Sequence, residues 1–69
     1  MGDTIRECIR QHALLMARMI GRNDDLATHA TTLCEFANKA YQLNYPAGSD
    51  SHGVLYKQCH SALWDALRP

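Results

Sequence analysis

The amino-acid sequence predicts an all-α fold, a small three-helix unit in a single domain that spans residues 1–69. Three segments carry apolar residues at the three- and four-residue spacing of an amphipathic helix, and none shows the two-residue alternation of a strand. Turn-forming residues separate these segments, and short connections favour antiparallel neighbours. We therefore predict helices over about residues 4–20, 24–43 and 51–67, either as an antiparallel bundle or as a helical hairpin with a third helix.

The first predicted helix begins at Thr4. Thr4 and Glu7 fit a capping box, in which two side chains satisfy free N–H groups at the helix start. Gly21 suits the left-handed conformation that often ends a helix. Leu14 falls on the side away from the apolar arc, so we expect it to be exposed or in contact with a partner. The arc itself consists of Ile5, Cys8, Ile9, His12, Met16, Met19 and Ile20.

The second predicted helix begins near Asn23 or Asp24, where the carboxylates of Asp24 and Asp25 suit the positive end of the helix dipole. Its alanines allow another helix to approach closely, because small side chains shorten the distance between helix axes. The expected inner face consists of Leu26, Ala30, Leu33, Ala37 and Ala40.

The third predicted helix follows a break at Tyr45-Pro46 and Gly48-Ser49, and Asp50 or Ser51 is expected to cap it. It carries two apolar stripes that are displaced from one another around the helix. The stripe expected in the core consists of Val54, Leu55, Cys59, Ala62 and Ala66. The second stripe consists of Tyr56, His60, Trp64 and Leu67.

The second stripe is a surplus for so short a chain, because 69 residues form only a small core. We expect it to meet a partner, either a second copy in a homodimer that completes the bundle or a larger target protein. The alternative is that Tyr56 and Trp64 fold back over the Tyr45-Pro46 loop and complete the monomer core. The candidate partner-binding residues are Tyr56, His60, Trp64, Leu67, Tyr41, Tyr45 and Leu14.

Charge and composition narrow the functional classes. Seven basic residues balance seven acidic ones, which argues against a nucleic-acid binder and against attachment to an anionic membrane. A helix-turn-helix DNA reader is the weaker alternative, since the third helix carries only Lys57 and Arg68 as fixed positive charges. We see no membrane-spanning run and no secretory signal, and three widely spaced cysteines suggest free thiols. We therefore expect a cytoplasmic protein.

Three cysteines and four histidines raise the question of a metal site. Cys8 and His12 share a helix face, but closely paired ligands such as C-x2-C are missing. The candidate ligands are Cys8, His12, Cys34 and Cys59. We favour small core residues as the role of the cysteines, and we expect no metal or cofactor. Cys8–His12 and Cys59–His60 are the only local pairs of a nucleophile with a base, and a helix interior offers them neither an oxyanion hole nor an exposed elbow. The sequence also shows no phosphate loop, so we expect no enzymatic activity.

Together these observations predict a small non-enzymatic protein–protein interaction protein that forms a homodimer, which completes the helical unit, and binds a larger target. We expect it to regulate a larger protein, as an inhibitor or anti-activator, through the aromatic helix face. The regulatory part is an analogy based on the short chain. The alternatives are a metal-binding helical protein that uses Cys and His, and a small DNA-binding transcriptional regulator.

Overall fold

The computed structural model describes residues 3–20 and 25–68. It contains three helices, α1 (Asp3–Ile20), α2 (Leu26–Ala40) and α3 (Asp50–Leu67), and no strand within those ranges. The predicted all-α three-helix unit is confirmed. The predicted start of the second helix at Asn23 or Asp24 and the predicted stop at Gly21 lie outside the described residues. None of the described helices combines the length and the apolar character needed to cross a lipid bilayer.

α2 ends earlier than the apolar pattern predicts. The Tyr41 N–H still donates to the Ala37 carbonyl at 3.0 Å, but Gln42 and Asn44 then adopt φ angles of 53° and 58°. Positive φ is uncommon for residues other than glycine and is incompatible with a continuing right-handed helix. Leu43, predicted to lie in the helix, is therefore part of the connection, where it packs against the core.

α3 holds the other two helices together. It packs extensively on both α1 and α2, whereas α1 and α2 touch each other much less. The His12 ring of α1 stacks on the Phe36 ring of α2, and Cys8 of α1 lies against Tyr41, just beyond α2. Later residues of α1 thus lie opposite earlier residues of α2, and these two helices run antiparallel.

The buried face of α1 differs from the predicted arc. Ile9 is buried as expected, but the other buried positions are Ala13 and Ala17. Met19 is 86% exposed, so its predicted core position is wrong. The face is rotated because α1 packs mainly on α3, and small alanine side chains let two helix axes come close.

Two further predicted core positions are wrong. Ala40 is exposed because it is the last residue of α2, and Val54 is 56% exposed on α3. Leu63, absent from both predicted stripes, is fully buried because it follows Cys59 by one helical turn on the same face. The main core cluster consists of Ile9, Ala13, Ala30, Leu33, Cys34, Ala37, Leu55, Cys59, Ala62 and Leu63.

The connection from α2 to α3 is fastened at both ends. Asn38 donates from Nδ2 to the Tyr45 carbonyl at 3.0 Å, and its Oδ1 accepts from the Tyr45 N–H at 3.0 Å. Ser49 then caps α3, because its Oγ accepts from the His52 N–H at 3.1 Å. The predicted caps at Asp50 and Ser51 are therefore wrong by one or two residues.

The start of α1 also differs from its predicted capping box. Asp3 already belongs to the helix, so Thr4 is inside it and not at its boundary. The Glu7 carboxylate accepts hydrogen bonds from Arg10 at 3.1 Å and from Gln11 at 3.0 Å. Glu7 thus stabilises the following turn of α1 through pairs three and four residues apart.

Candidate functional site

The outer surface of α3 carries four residues that we call the aromatic stripe: Tyr56, His60, Trp64 and Leu67. Each four-residue step advances about 40° around a helix, so the stripe moves away from the core between Tyr56 and Trp64. Tyr56 is half-buried and packs against the core cluster. Trp64 is 47% exposed. The stripe is therefore anchored in the core at one end and open to solvent at Trp64.

The surroundings of His60 show which elements border the stripe. The Tyr56 and His60 rings lie 6.1 Å apart between centroids, tilted by 39°. One surface depression beside them is lined by Tyr56, Lys57, His60 and Ser61. The other is lined by His60, Ser61, Trp64 and Asp65. Both depressions are lined by α3 alone, so in the described part of the chain no residue of the Tyr45-Pro46 loop lines either of them.

Leu14 of α1 lies in a groove of its own, next to the depression at Trp64. It is 42% exposed, as the sequence predicts. It lines a groove between α1 and α3 together with Arg10, Ala62, Asp65 and Ala66. Asp65 also lines the depression beside Trp64, so Leu14 and Trp64 lie on either side of this carboxylate. The groove at Leu14 and the depression at Trp64 are therefore neighbours that share Asp65, and Arg10 borders the groove.

The structure places Tyr41 and Tyr45 away from Trp64. Tyr41 lies against Cys8 and Cys59, and burial, followed by the nearby Cys8 thiol, raises the pKa of its hydroxyl. Tyr45 is clamped by Asn38 and packs against the core. It lines a separate depression with Asp50, Ser51 and Val54. Of the seven candidate partner-binding residues, the described structure places Tyr56, His60 and Trp64 along two adjoining depressions of α3, and Leu14 in a separate groove between α1 and α3.

A second exposed apolar region, which the sequence did not reveal, lies on the α1 and α2 side. Leu15 and Met19 of α1 are exposed, and so is Phe36 of α2. The Phe36 ring stacks on the His12 ring with centroids 4.1 Å apart and an angle of 14° between the planes. A clue was available in the spacing, since His12, Leu15 and Met19 share one helix face. That face was predicted to be core because tight packing at Ala13 and Ala17 was not foreseen.

The four candidate metal ligands do not converge on one point in the structure. His12 stacks on Phe36, and the half-buried Cys8 lies near Tyr41. Cys34 and Cys59 are both buried in the core cluster, where each influences the pKa of the other. Across residues 3–20 and 25–68, no three side chains of His, Cys, Asp or Glu are grouped so that they could hold a metal ion.

The thiols of Cys34 and Cys59 are less acidic than free cysteine thiols. Burial, and then the neighbouring Cys34 thiol, raises the pKa of Cys59 to about 12. Burial, followed by the charge of Glu35, also raises the pKa of Cys34. Both thiols are therefore protonated at neutral pH and act as small apolar side chains in the core.

Comparisons with known proteins add no relative: no family model, curated protein or solved structure matches this chain. The function is therefore argued from the residues and their geometry. The arrangement of the aromatic stripe and Leu14 is suited to holding an apolar surface of another molecule, with charged side chains at its border.

Proposed function

We propose that this chain is a small protein-interaction module that regulates a larger protein by binding it through the aromatic stripe and Leu14. The observation that carries the proposal is Trp64, which stands 47% exposed on the outer side of α3. A partly exposed tryptophan is costly to leave in water and gains a large apolar contact when covered. Tryptophan and tyrosine are also enriched among the residues that dominate binding energy.

Trp64 alone supplies only a small part of the area that a stable interface needs. Trp64 offers on the order of 100 Å² of uncovered side chain, given the area of a full aromatic ring system. A stable interface buries about 800 Å² on each partner. An exposed helix face of this kind can pack against a helix of a second copy or enter a concave pocket of a larger protein. A larger protein with a concave pocket can surround Trp64 and reach Leu14 as well.

A regulatory role, as inhibitor or anti-activator, is the form of this function that suits a chain of 69 residues. A chain of this size acts most simply by covering part of a larger partner's surface. That step is an analogy with other small binding proteins. It predicts that binding occludes a functional surface of the partner and does not add an activity.

The experiment uses two baits that differ only in which exposed apolar side chain of α3 is removed. We expect Trp64→Ala to weaken partner binding at least about thirty-fold, because hot-spot truncation costs about 2 kcal/mol or more. Val54→Ala is the matched control, since Val54 is 56% exposed on the same helix outside the stripe. Proteins captured by the wild type and by Val54→Ala, but lost with Trp64→Ala, are the specific partners.

Binding is then measured with each purified partner. Trp64 is the only tryptophan in the chain, so its emission reports directly on whether the stripe becomes covered. For a partner without tryptophan, we expect the emission maximum to move to shorter wavelength on binding. If Trp64→Ala and Val54→Ala capture the partner equally well, with unchanged helical circular dichroism, the aromatic stripe does not bind it.

Self-association through the stripe is the other outcome that the same variants resolve. Sedimentation equilibrium of the wild type gives the mass of the free protein, against a chain mass of 7.8 kDa. A monomer at high micromolar concentration supports a foreign partner. A dimer that Trp64→Ala dissociates, and that Val54→Ala leaves intact, would assign the stripe to a homodimer.

A further inference from the structure

The second exposed apolar region lies on the side of α1 that faces away from α3. Leu15 is 55% exposed, Met19 is 86% exposed, and Phe36 of α2, which stacks on His12, is 43% exposed. Leu15 follows the buried Ala13 by two residues, which places it about 160° around the helix from the side that packs on α3. This region is therefore a different surface from the aromatic stripe.

Four residues of α1 form a row on this side, and we call them the α1 row: Cys8, His12, Leu15 and Met19. Their spacing of four, three and four residues is that of a helix face that packs on another helix. The spacing also reads the same in both directions along the chain. Against an antiparallel second copy, Leu15 therefore meets His12 of that copy, and Met19 meets its Cys8. Such self-complementarity is what a twofold-symmetric interface requires.

The charges beside the α1 row select the antiparallel orientation. Glu7 and Arg18 are both exposed and lie along one border of the row, towards opposite ends of α1. In an antiparallel pair each approaches the opposite charge of the second copy, whereas in a parallel pair like charges meet. The Glu7 carboxylate accepts from Arg10 and Gln11 of its own helix, and its two oxygens have capacity for a further donor.

We propose that two copies of this chain form a symmetric dimer in which their α1 rows pack antiparallel. The inference goes beyond the proposed function, because it does not depend on a target that binds the aromatic stripe. The dimer leaves α3 uncovered, so it presents two aromatic stripes at once. A partner with two binding surfaces would then be held by both.

The exposed apolar area fits a reversible dimer. Leu15, Met19 and Phe36 together leave on the order of 300 Å² of side chain uncovered, about three times the area at Trp64. Because a typical interface is a little over half apolar, this corresponds to roughly 550 Å² on each copy. The total of roughly 1,100 Å² is at the low end for a specific interface. We therefore expect monomers at low micromolar concentration and dimers at high micromolar concentration.

Sedimentation equilibrium over a range of concentrations tests for the dimer. The mass of the wild type should rise from 7.8 kDa towards twice that value. Leu15→Gln combined with Met19→Gln should weaken association at least about tenfold, because a polar amide replaces each apolar contact. Val54→Gln is the matched control, since Val54 is 56% exposed but lies on α3. It should leave the dimer intact, and so should Trp64→Ala.

Charge reversal tests the antiparallel orientation. Glu7→Arg and Arg18→Glu should each weaken self-association by about threefold to tenfold, because like charges then meet at both symmetric contacts. A mixture of the two variants should associate as strongly as the wild type, because each supplies the charge that the other needs. Helical circular dichroism of each variant shows whether the monomer is folded.

An engineered disulfide tests the same geometry directly. Met19→Cys places a thiol opposite Cys8 of the second copy, whereas the two Cys8 residues of a wild-type dimer stay roughly 16 Å apart along the helix axis. Under mild oxidation, the variant should form a covalent dimer whose peptide map joins position 19 to Cys8. The wild type should remain non-covalent under the same conditions.

Three results would overturn the proposal: a wild type that stays monomeric at high micromolar concentration, a dimer that Trp64→Ala dissociates, or a peptide map that joins position 19 to position 19. A monomeric wild type leaves the proposed function intact, because capture of a target by the aromatic stripe is measured separately. A dimer that survives Trp64→Ala and is lost with the double glutamine variant assigns self-association to the α1 row.

Discussion

Cys59 is the single residue through which pH acts most directly on the stability of the fold. Its thiol is fully buried, and its pKa is raised from 9.0 to about 12, mainly by burial. The unfolded chain releases this proton at a lower pH than the folded chain does. The contribution of Cys59 to stability is therefore fully present below pH 9 and is lost as the pH rises towards 12.

We therefore predict that the free energy of unfolding falls more steeply with pH in the wild type than in Cys59→Ala. Between about pH 10 and 11, the wild type should lose on the order of 1 kcal/mol more of its free energy of unfolding per pH unit than Cys59→Ala does. Urea unfolding at a series of pH values, followed by circular dichroism, measures both slopes. Because Cys59 also alters the pKa values of Cys34 and Tyr41, the difference between the two slopes reports the titration of Cys59 together with its coupling to these neighbours. Equal slopes would show that Cys59 titrates alike in the folded and unfolded chain.

Trp64 is the other residue of special interest. Its four-residue spacing from His60 and Tyr56 was readable in the sequence, because a helix face repeats at that interval. The sequence did not predict whether Trp64 is exposed, because packing of Trp64 over the Tyr45-Pro46 loop fitted the same spacing equally well. In the structure Tyr45 packs beside Asn38 and Val54. Within the described residues, this loop therefore does not line the depression at Trp64.

At the scale of the helices, the beginning of α3 depends on a single hydroxyl group. Ser49 accepts from the His52 N–H at 3.1 Å and donates to the Pro46 carbonyl at 2.7 Å. It therefore caps the helix and also holds the turn before it. Sequence patterns place caps only to within a residue or two, because Ser49, Asp50 and Ser51 are all suitable cap residues.

The cap assignment leads to a prediction with a neighbouring control. Ser49→Ala should lower the free energy of unfolding by about 1 kcal/mol, because the His52 N–H loses its partner. Ser51→Ala should change it by less than about 0.5 kcal/mol, because Ser51 is exposed inside the first turn. Chemical denaturation of both variants measures the difference. If Ser51→Ala lowers the free energy of unfolding more than Ser49→Ala does, Ser51 is the cap, as the sequence predicted.

For the molecule as a whole, α3 is the structural centre. It packs on both other helices, while α1 and α2 touch little and meet through pairs such as His12 and Phe36. The helix that presents Trp64 is thus also the helix that completes the core. The proposed binding surface is consequently held on the best-packed element, which limits the entropy lost when a partner binds.

This organisation predicts a gradient of local stability. Backbone amides of α3 between Leu55 and Leu63, which carry four buried side chains, should exchange with solvent most slowly. Amides in α1 should exchange faster, because α1 can separate from α3 without disrupting the contact between α2 and α3. Native-state hydrogen exchange followed by NMR measures both sets. Slower exchange in α1 than in α3 would contradict the central role of α3.

The sequence by itself determined the three helices and the aromatic stripe, because apolar spacing and turn residues are local properties of the chain. The tertiary structure alone decided that α1 buries Ala13 and Ala17 and exposes Met19. It also placed Cys34 in the same core cluster as Cys59 and 3.6 Å from His52, both of which lie far from it along the chain. Periodicity identifies an apolar face to within one or two side chains. Which edge of that face is buried depends on how closely the neighbouring helix approaches.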